Sequence, residues 1–529
     1  MIQISQLKLP VSHTEADLRQ KIKKTLRCGE ASFSYEIIRQ SLDARHKEDK
    51  KFVYTVHVKA ENEKKILKKV HNNNIMLTNE RSYSFPKPGE QPLKTRPVIV
   101  GSGPAGLFCA WYLARAGYCP LVLERGEEAD KRMETVNQFW KNGVLDPESN
   151  VQFGEGGAGT FSDGKLNTLV KDSSGRNREV LKRFTEAGAD PEILYQQKPH
   201  LGTDVLVNIV QTMRRQIEEM GGTFRFRSKV TDLYTENGIL RAVEVNHSEQ
   251  VPAQVCVLAV GHSARDTFFM LKDRGLAMEP KAFAVGLRIE HPQSMINQDL
   301  YGEPENKILG SASYKVTHTC KNGRGVYSFC MCPGGYVVNA SSEQGLLAVN
   351  GMSYQARDGE NANSAMIVTV TPEDFPEKGT LGGIAFQRSL EKKAWELGKG
   401  KVPVQLFGDF CTHQVSRELG DVRPNIKGGY VLADVRSILP EEIGDSIEEG
   451  IFAFGKKLSG FDRKDAVLSG IESRTSSPVR LVRDQKGLSN ITGIYPCGEG
   501  AGYAGGITSA AMDGIKTAEW IASEYMMKL

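Results

Sequence analysis

Residues 97–124, PVIVGSGPAGLFCAWYLARAGYCPLVLE, constrain the fold of this chain more than any other segment. The β-branched run Val98–Val100 is typical of a buried parallel strand, and three glycines follow it at GxGxxG spacing. Gly101 permits a tight turn, Gly103 lets the backbone approach a pyrophosphate, and Gly106 lets the next helix pack against the strand. The N-terminal amides of that helix face the turn, so the segment predicts a βαβ unit that binds a dinucleotide.

The second half of this segment completes the unit. We predict a helix over residues 104–116 that ends at Gly117, and a second buried strand over residues 121–123 that ends in Glu124. A carboxylate about 20 residues past the glycines accepts both hydroxyls of an adenosine ribose and disfavours a 2′-phosphate. This segment combines a strand, the glycine spacing, a helix and an acidic residue in the right order. An incidental glycine-rich turn would not show that combination.

Length and composition limit the class of protein. At 529 residues the chain exceeds one hydrophobic core, so we expect two to four domains. No apolar run approaches the roughly 18 residues that span a bilayer, and the first residues lack a signal peptide's apolar core, so we expect a cytoplasmic protein with no membrane partner. The nine cysteines show no CxxC or Cys/His metal spacing, which fits a reducing compartment and predicts no metal site.

Positive charge is concentrated at the N-terminus. The first 94 residues hold 19 Lys/Arg and 11 Asp/Glu, so the rest of the chain is slightly acidic although the total is +4. Patterns over residues 2–9, 14–26, 32–42, 51–58 and 61–70 and near Ile75 predict the order β-α-β-β-α-β, with 32–42 either a strand or a short helix. This order predicts a ferredoxin-like α/β module of residues 1–90, and the proline-punctuated residues 84–97 predict a linker after it.

The basic module leaves two interpretations open. It either binds RNA or presents an ordinary solvated basic face, and the aromatic RNP motifs that indicate RNA binding are missing from the sequence. Nothing in the sequence indicates DNA binding. An RNA-associated flavoprotein resembling tRNA-modifying flavoenzymes is therefore kept as the alternative function.

A second glycine-rich stretch, residues 149–168, repeats the GxGxxG spacing. No β-branched strand precedes it and FSDGKL follows instead of a helix, so we do not interpret it as a second nucleotide turn. Its glycines, beside Ser162, Asp163 and Lys165, predict a backbone that lies against a ligand, with a mobile surface loop as the alternative.

Later segments extend the sheet and then interrupt it. A helix over residues 201–220, a strand after it and a buried strand over residues 254–260 predict a doubly wound parallel sheet. From residue 265 to 470, short strand-like runs separated by loops, and a closing helix over 441–458, predict an inserted α+β substrate domain.

The C-terminal block, residues 491–525, supplies a second set of dinucleotide contacts. A strand over 491–495 leads to Glu499 in CGEGAG, and Gly505-Gly506 opens a long helix. The carboxylate accepts a ribityl or ribose hydroxyl, and the helix N-terminus faces a phosphate and the pyrimidine edge of a flavin. A simple NAD domain has no use for this block, so it favours FAD.

The pairing of an N-terminal GxGxxG…E with a C-terminal strand, Gly-Glu-Gly and helix resembles the glutathione-reductase-like FAD fold. The chain also contains the longer motifs ERG (124–126), NVQFGEGGAGTFSDGKL, VGHSARD (260–266), YSFCMCPGG, ESRTSSPVR (472–480) and YPCGEGAGYAGGITSAAMDGI. In these motifs it is similar to the bacterial family of FAD-dependent dehydrogenases often labelled NAD(FAD)-utilising, and the resemblance covers nearly the whole chain. One departure from the general fold is Glu499, where Asp is more usual, although either carboxylate accepts the hydroxyl.

The resemblance implies that Ala259 and Gly261 border the FAD and that the backbone of Val230 contacts adenine. Glu124 and Glu499 are assigned to opposite ends of one FAD. The full set of predicted cofactor contacts is Gly101, Ser102, Gly103, Pro104, Ala105, Gly106, Glu124, Arg125, Arg132, Gly157, Gly159, Thr160, Ser162, Val230, Ala259, Gly261, Gly498, Glu499, Gly505, Gly506 and Ile507.

Three side chains are candidates for catalysis: Arg474, Lys165 and Cys330. Arg474 either holds an anionic substrate or the negative charge of reduced flavin, or it forms a structural Arg–Glu pair at a domain seam. Cys330 and Cys332 are two apart, which in a strand puts both sulfurs on one face, either as buried packing or with one thiol near a flavin.

The combined prediction is an α/β protein with a doubly wound, FAD-binding Rossmann-like domain in two parts, residues 95–264 and 471–529. The inserted domain of residues 265–470 and the N-terminal module of residues 1–90 complete it. We expect an FAD-dependent dehydrogenase that transfers a hydride between flavin N5 and an unidentified small molecule, with NAD(P)H left open as a transient electron donor.

Overall fold

A computed structural model describes residues 1–28, 32–61, 63–79 and 83–527. The N-terminal region is an antiparallel four-stranded sheet with two helices, and the segment predicted as either a strand or a short helix forms a strand, Phe33–Asp43. Its elements are β1 (Ile2–Pro10), α1 (Glu15–Leu26), β2 (Phe33–Asp43), β3 (Lys51–Ala60), α2 (Glu63–Lys69) and β4 (Ile75–Leu77). The sheet order β2-β3-β1-β4 matches the ferredoxin-like arrangement that the sequence predicts.

The next region contains the glycine-rich turn. Its helix α3 is buried on all sides from Ala105 to Ala114, which explains its uniformly apolar sequence. The elements are β5 (Gln91–Leu93), β6 (Val98–Val100), α3 (Pro104–Arg115), β7 (Leu121–Leu123), α4 (Ala129–Asn142), α5 (Arg176–Glu186), α6 (Thr203–Glu219), β8 (Thr223–Arg225), β9 (Val230–Glu236), β10 (Ile239–Val245), β11 (Glu249–Pro252) and β12 (Cys256–Leu258).

A second, larger sheet follows in the chain. It has seven strands in the order β15-β16-β19-β14-β23-β20-β22, and α9 and α11 pack against it. The elements are α7 (Arg265–Asp273), β13 (Met278–Pro280), β14 (Phe283–Pro292), α8 (Gln293–Tyr301), β15 (Thr317–Thr319), β16 (Gly325–Cys332), β17 (Tyr336–Asn339), β18 (Val349–Met352), β19 (Asn361–Val370), α9 (Gly382–Gly398), β20 (Val402–Leu406), α10 (Phe407–Cys411), β21 (Ile426–Lys427), β22 (Tyr430–Leu432), α11 (Glu441–Gly455) and β23 (Val467–Glu472).

The chain then returns to the first sheet. The last elements are β24 (Val479–Leu481), β25 (Ile494–Pro496), α12 (Ile507–Glu524) and β26 (Tyr525–Met527). β25 lies beside β12 and completes a five-stranded parallel sheet in the order β25-β12-β6-β7-β8. The β25 strand starts three residues later than predicted, after Gly493, whose φ of +93° ends the preceding turn. Helices α3 and α12 pack together on one face of this sheet, and the strand order confirms the predicted α/β, Rossmann-like fold.

Where the two sheets meet, residues from the seven-stranded sheet lie over the carboxyl ends of the parallel strands. This is the edge at which open parallel sheets bind ligands. Within the described part of the chain, every helix is too short or too polar to cross a membrane.

Candidate functional site

One elongated cavity lies at the carboxyl ends of the parallel strands. The turn after β6 and Glu124 after β7 line one part of it. Glu499 after β25 and Ile507 at the start of α12 line the other part. We call these two parts the Glu124 end and the Glu499 end. The cavity therefore joins the N-terminal and C-terminal nucleotide motifs, which are about 400 residues apart in sequence, into one site.

The glycines of the first turn serve two different purposes. A Cβ atom on Gly101 would lie 2.4 Å from the carbonyl oxygen of Ala259, and one on Gly106 would lie 1.9 Å from the carbonyl oxygen of Gly101. Packing within the protein therefore requires glycine at both positions. A Cβ on Gly103 would meet nothing closer than 3.8 Å, so its glycine leaves free space in the cavity wall. That space is what the close approach of a pyrophosphate needs.

The start of α12 has the same open character. A Cβ atom on Gly505 or Gly506 would have no neighbour within 4 Å, and both residues line the cavity. The first amides of an 18-residue helix face the same space. These features fit an extended dinucleotide whose phosphates or flavin edge occupy the space beside the helix N-terminus.

Glu124 is buried and holds three loops together. One carboxylate oxygen accepts hydrogen bonds from the amide (2.9 Å) and hydroxyl (2.7 Å) of Ser102. The other accepts from the amides of Gly126 (2.9 Å) and Gly154 (3.1 Å). Because a carboxylate offers about four acceptor positions, a ribose hydroxyl at this end has to replace the Ser102 hydroxyl.

Arg132 supports the second glycine-rich loop from behind. Its side chain is fully buried, and its guanidinium donates to the carbonyls of Asn150 (2.9 Å), Val151 (2.9 Å), Glu155 (2.7 Å) and Gly157 (2.9 Å). Burial lowers the pKa of Arg132 to about 10, so it remains charged at neutral pH. Arg132 fixes the shape of the loop and does not line the cavity.

Most of the predicted cofactor contacts come together in this cavity. Gly106, Arg132, Thr160 and Gly498 do not line it and lie behind its wall. The predicted residues that line the cavity are Gly101, Ser102, Gly103, Pro104, Ala105, Glu124, Arg125, Gly157, Gly159, Ser162, Val230, Ala259, Gly261, Glu499, Gly505, Gly506 and Ile507.

The three candidate catalytic side chains, Arg474, Lys165 and Cys330, also line the cavity. Arg474 donates to both carboxylate oxygens of the buried Glu391, at 3.0 and 2.9 Å, and Arg265 contacts the same carboxylate from the other side. The Arg474–Glu391 pair therefore joins the second part of the predicted FAD-binding domain to the inserted domain. Lys165 pairs with Asp163 at 3.1 Å and donates to the carbonyl of Met331.

The geometry at Cys330 differs from the strand that the sequence predicts. A β-bulge lies between Phe329 and Cys332, and Cys330 has a φ of +45°. The simple alternation that would put both sulfurs on one face is therefore broken. Cys330 lines the cavity, whereas Cys332 is buried behind it.

Buried charges surround this end of the cavity. Arg288 is fully buried and donates to Glu472 (2.8 Å), to the carbonyl of Cys330 (2.8 Å) and to Asn350 (3.0 Å). Burial and the nearby Cys330 raise the pKa of Glu499 to about 7, while Lys281 opposes the shift. The Glu499 end therefore contains a carboxyl group that gains or loses a proton near neutral pH.

Several lining residues were not predicted as cofactor contacts or catalytic groups. Phe329 lies in β16 of the seven-stranded sheet, Asn350 lies in β18 of a separate three-stranded sheet, and Lys229 comes from the loop before β9. His262 was predictable only as part of the VGHSARD motif, and burial lowers its pKa to about 3, which keeps the imidazole neutral.

A possible metal-ligand group lies away from the cavity. Donor atoms of His318, Cys320 and Glu449 all lie within 4.8 Å of one another. The sequence did not indicate this group because Glu449 comes from α11, 129 residues after Cys320. His318 and Glu449 are 3.2 Å apart, and the Cys320 thiol donates to the carbonyl of Ser446 at 3.5 Å.

Three family models match parts of the chain. Residues 282–475 match the family described as FAD-dependent protein, C-terminal domain-like. Residues 99–148 match an NAD(P)-binding Rossmann-like domain, and residues 1–59 match a domain of unknown function. The first match covers the region that closes the Glu499 end, and the second covers the glycine-rich turn and Glu124.

Two solved structures resemble the fold distantly. The flavin-dependent brominase Bmp2 is 13% identical, with 81% of this chain and 78% of that chain covered and a TM-score of 0.36. L-proline dehydrogenase from P. horikoshii is 12% identical, with coverage of 81% and 94% and a TM-score of 0.32.

A full-length relative is found in Clostridium beijerinckii (strain ATCC 51743 / NCIMB 8052). This uncharacterized protein is 48% identical over 530 residues, which cover 99% of each chain. The match includes the N-terminal module, the parallel sheet and the seven-stranded sheet. With its FAD-dependent C-terminal domain and its dinucleotide cavity, the chain has FAD as its cofactor and belongs to the same family as this clostridial protein.

Proposed function

We propose that this protein is an FAD-dependent dehydrogenase that transfers a hydride between flavin N5 and a small molecule bound at the Glu499 end. One observation supports this proposal above the others: a single cavity joins the nucleotide turn at Glu124 to a group of titratable side chains contributed by the seven-stranded sheet. When bound, FAD supplies the hydride chemistry, and the protein orients the reacting molecule and excludes water.

The Glu124 end would hold the adenosine half of the cofactor. Glu124 faces the ribose position, Val230 and Ala259 border the same space, and Gly103 leaves room for the pyrophosphate. Because Glu124 is already fixed by three loops, this end is preorganised and loses little freedom on binding.

The Glu499 end would hold the flavin ring and the substrate. The open N-terminus of α12 favours negative charge beside it, and Glu499 holds a proton that it releases near neutral pH. Lys165, from the second glycine-rich stretch, supplies a cation to the cavity wall, and Cys330, from the inserted region, supplies a thiol. This set suits a substrate that exchanges a proton together with the hydride.

Arg474 has a smaller role in this proposal than its motif indicates. Its charge is shared with Glu391, whose pKa lies well below its usual range because Arg265 and Arg474 flank it. We propose that Arg474 shapes the wall of the cavity and that Lys165 is the more available cation for an anionic group. Lys165→Met should therefore weaken an anionic substrate more than Arg474→Lys does.

A metabolite screen by stopped-flow absorbance tests the proposed reaction. Purified protein is mixed anaerobically with candidate donors, including NADH and NADPH, and the flavin band is followed. Bleaching by one class of compound, with recovery on an acceptor, supports a dehydrogenase. Bound flavin that no donor reduces in the presence of any acceptor would support a binding protein without turnover.

The alternative function, an RNA-associated flavoprotein, is favoured by one observation. Helix α2 carries four lysines, has no buried residue, and borders an open surface groove with Lys64, Lys65 and Lys68. Such a surface attracts phosphate groups. Bulk tRNA binding that falls steeply with salt, and that Lys64→Glu together with Lys68→Glu abolishes, would support it; binding that is absent at low salt would exclude it.

A further inference from the structure

The two cysteines of the YSFCMC motif lie at the Glu499 end of the cavity in an arrangement that packing alone does not require. The bulge at Cys330 turns this residue toward the cavity, while Cys332 stays in the wall immediately behind it. The Cys332 thiol donates to the carbonyl oxygen of Cys330 at 3.2 Å, and the Cys332 side chain is near enough to the Cys330 sulfur to shift its pKa. One thiol is therefore accessible from the cavity and a second thiol is within reach of it.

Positive charges surround this pair. Lys165 donates to the carbonyl of Met331, the residue between the two cysteines. The Arg288 guanidinium lies 4.0 Å from the Cys332 sulfur and donates to the Cys330 carbonyl at 2.8 Å. The hydrogen bond from Cys332 lowers the pKa of the Cys330 thiol, and Lys165 and Arg288 lower it further against the effect of burial. Burial raises the pKa of Cys332, which therefore stays a thiol.

We propose that Cys330 and Cys332 are a reversible dithiol–disulfide pair that exchanges two electrons with bound FAD, and that the substrate of this site is a disulfide-containing compound. This inference rests on the proposed FAD-dependent function and names its substrate class. A thiolate beside a protonated thiol is the combination that thiol–disulfide exchange uses, with one sulfur as nucleophile and the other as resolving group.

The electrons and protons balance in each step. The Cys330 thiolate attacks one sulfur of the substrate disulfide, an S–S bond to Cys330 forms, and the first product leaves as a thiolate. Cys332 then loses its proton and attacks the Cys330 sulfur, so the second product thiol leaves with a proton and the Cys330–Cys332 bond forms. Bound FAD, reduced by a nicotinamide donor, would supply the two electrons that, with one proton from solvent, return the pair to a thiolate and a thiol.

The chain offers a direct way to detect the bond. Between Arg324 and Arg357 there is no lysine or arginine, so trypsin releases residues 325–357 as one peptide that contains Cys330 and Cys332 and no other cysteine. Full-length protein is oxidised with diamide, alkylated and digested. We expect this peptide to be lighter than the reduced peptide by two hydrogen atoms and to carry no alkyl group. Two alkylated cysteines in the peptide after oxidation would overturn the proposal.

An anaerobic dithionite titration of the FAD-loaded protein measures whether the pair communicates with the flavin. We expect oxidised wild-type protein to take up four electrons per flavin, two for the disulfide and two for FAD, whereas Cys330→Ser and Cys332→Ser take up two. Cys411→Ser is the control, because Cys411 is half-buried on α10 in the same region and does not line the cavity. It should take up four electrons like the wild type.

The alkylation rate of Cys330 gives a readout without flavin. In FAD-free protein, the rate should remain nearly constant between pH 8 and pH 6.5, whereas a thiol with the ordinary pKa of about 8.5 slows about tenfold per pH unit. Uptake of two electrons by the FAD-loaded wild type after diamide oxidation, with flavin bound, would overturn the proposal and leave the dehydrogenase function intact. A protein that binds no flavin at all would instead show that the proposed function has failed.

Discussion

The two carboxylates at the ends of the cavity have opposite environments. Glu124 accepts hydrogen bonds from the Ser102 side chain and three backbone amides, and its position is fixed before any ligand binds. The carboxylate of Glu499 accepts no hydrogen bond from the residues that the structure describes, and its raised pKa reflects burial without a matching partner. The comparison indicates that one end is built to hold a nucleotide rigidly, whereas the other keeps polar capacity free for a reacting molecule.

The largest expected effect comes from Arg132, which supports the loop behind the Glu124 end. Arg132→Met removes the cation that bonds five loop carbonyls and leaves them buried without that donor. We expect a loss of about 3–5 kcal/mol in the free energy of unfolding, together with weaker FAD binding. Urea unfolding of FAD-free protein measures this loss. Lys281→Met, a substitution near the Glu499 end, should cost less than about 1 kcal/mol; equal losses would remove the contrast between the two ends.

Glu124→Gln tests which end holds the adenosine. The substitution keeps the shape but removes the charge and places an amide N–H against donors, so FAD binding should weaken by about 1.5–3 kcal/mol. FMN has no adenosine and should bind almost as tightly as before. Glu499→Gln should weaken both flavins. Isothermal titration with each flavin distinguishes the variants, and an equal loss of FMN and FAD in Glu124→Gln would reverse the assignment of ends.

The pH dependence of stability tests the environment of Glu499. The folded-state pKa of Glu499 is raised to about 7 from 4.5, so the folded state binds more protons in this range and its stability falls as pH rises from about 4.5 to 7. Glu499→Gln should remove this part of the slope and make FAD-free protein about 1–2 kcal/mol more stable at pH 7.5. Chemical unfolding at pH 5 and pH 7.5 measures the difference. An unchanged slope would mean that Glu499 is solvated or paired.

Ser102→Ala has the smallest expected effect, and it tests whether a ligand hydroxyl replaces the Ser102 hydroxyl on Glu124. Ser102→Ala removes the 2.7 Å hydroxyl bond to Glu124 and should lower the stability of FAD-free protein by about 0.5–1.5 kcal/mol. If a ribose hydroxyl takes that position, FAD affinity should stay the same or rise. Paired measurements of Tm with and without FAD test this, and weaker FAD binding in Ser102→Ala would show that the serine contacts the cofactor directly.

Features within a short segment could be predicted from the sequence, whereas contacts between distant segments could not. The glycine turn, Glu124 and the start of α12 were predictable because local backbone geometry requires particular residues within a short segment. The Arg474–Glu391 pair joins residues 83 apart, and Arg288 reaches Glu472 across a strand pairing that no local pattern specifies. The bulge at Cys330 depends on the register of β16 against β19, which alternation along one strand cannot reveal.

The identity and amount of flavin in purified full-length protein test the central claim most directly. Protein is denatured by heat, and the released flavin is identified by chromatography and quantified against protein concentration. The account predicts FAD at close to one molecule per chain, or restoration of that ratio when FAD is added to protein purified without it. A colourless preparation that releases no flavin and takes up no added FAD would contradict it.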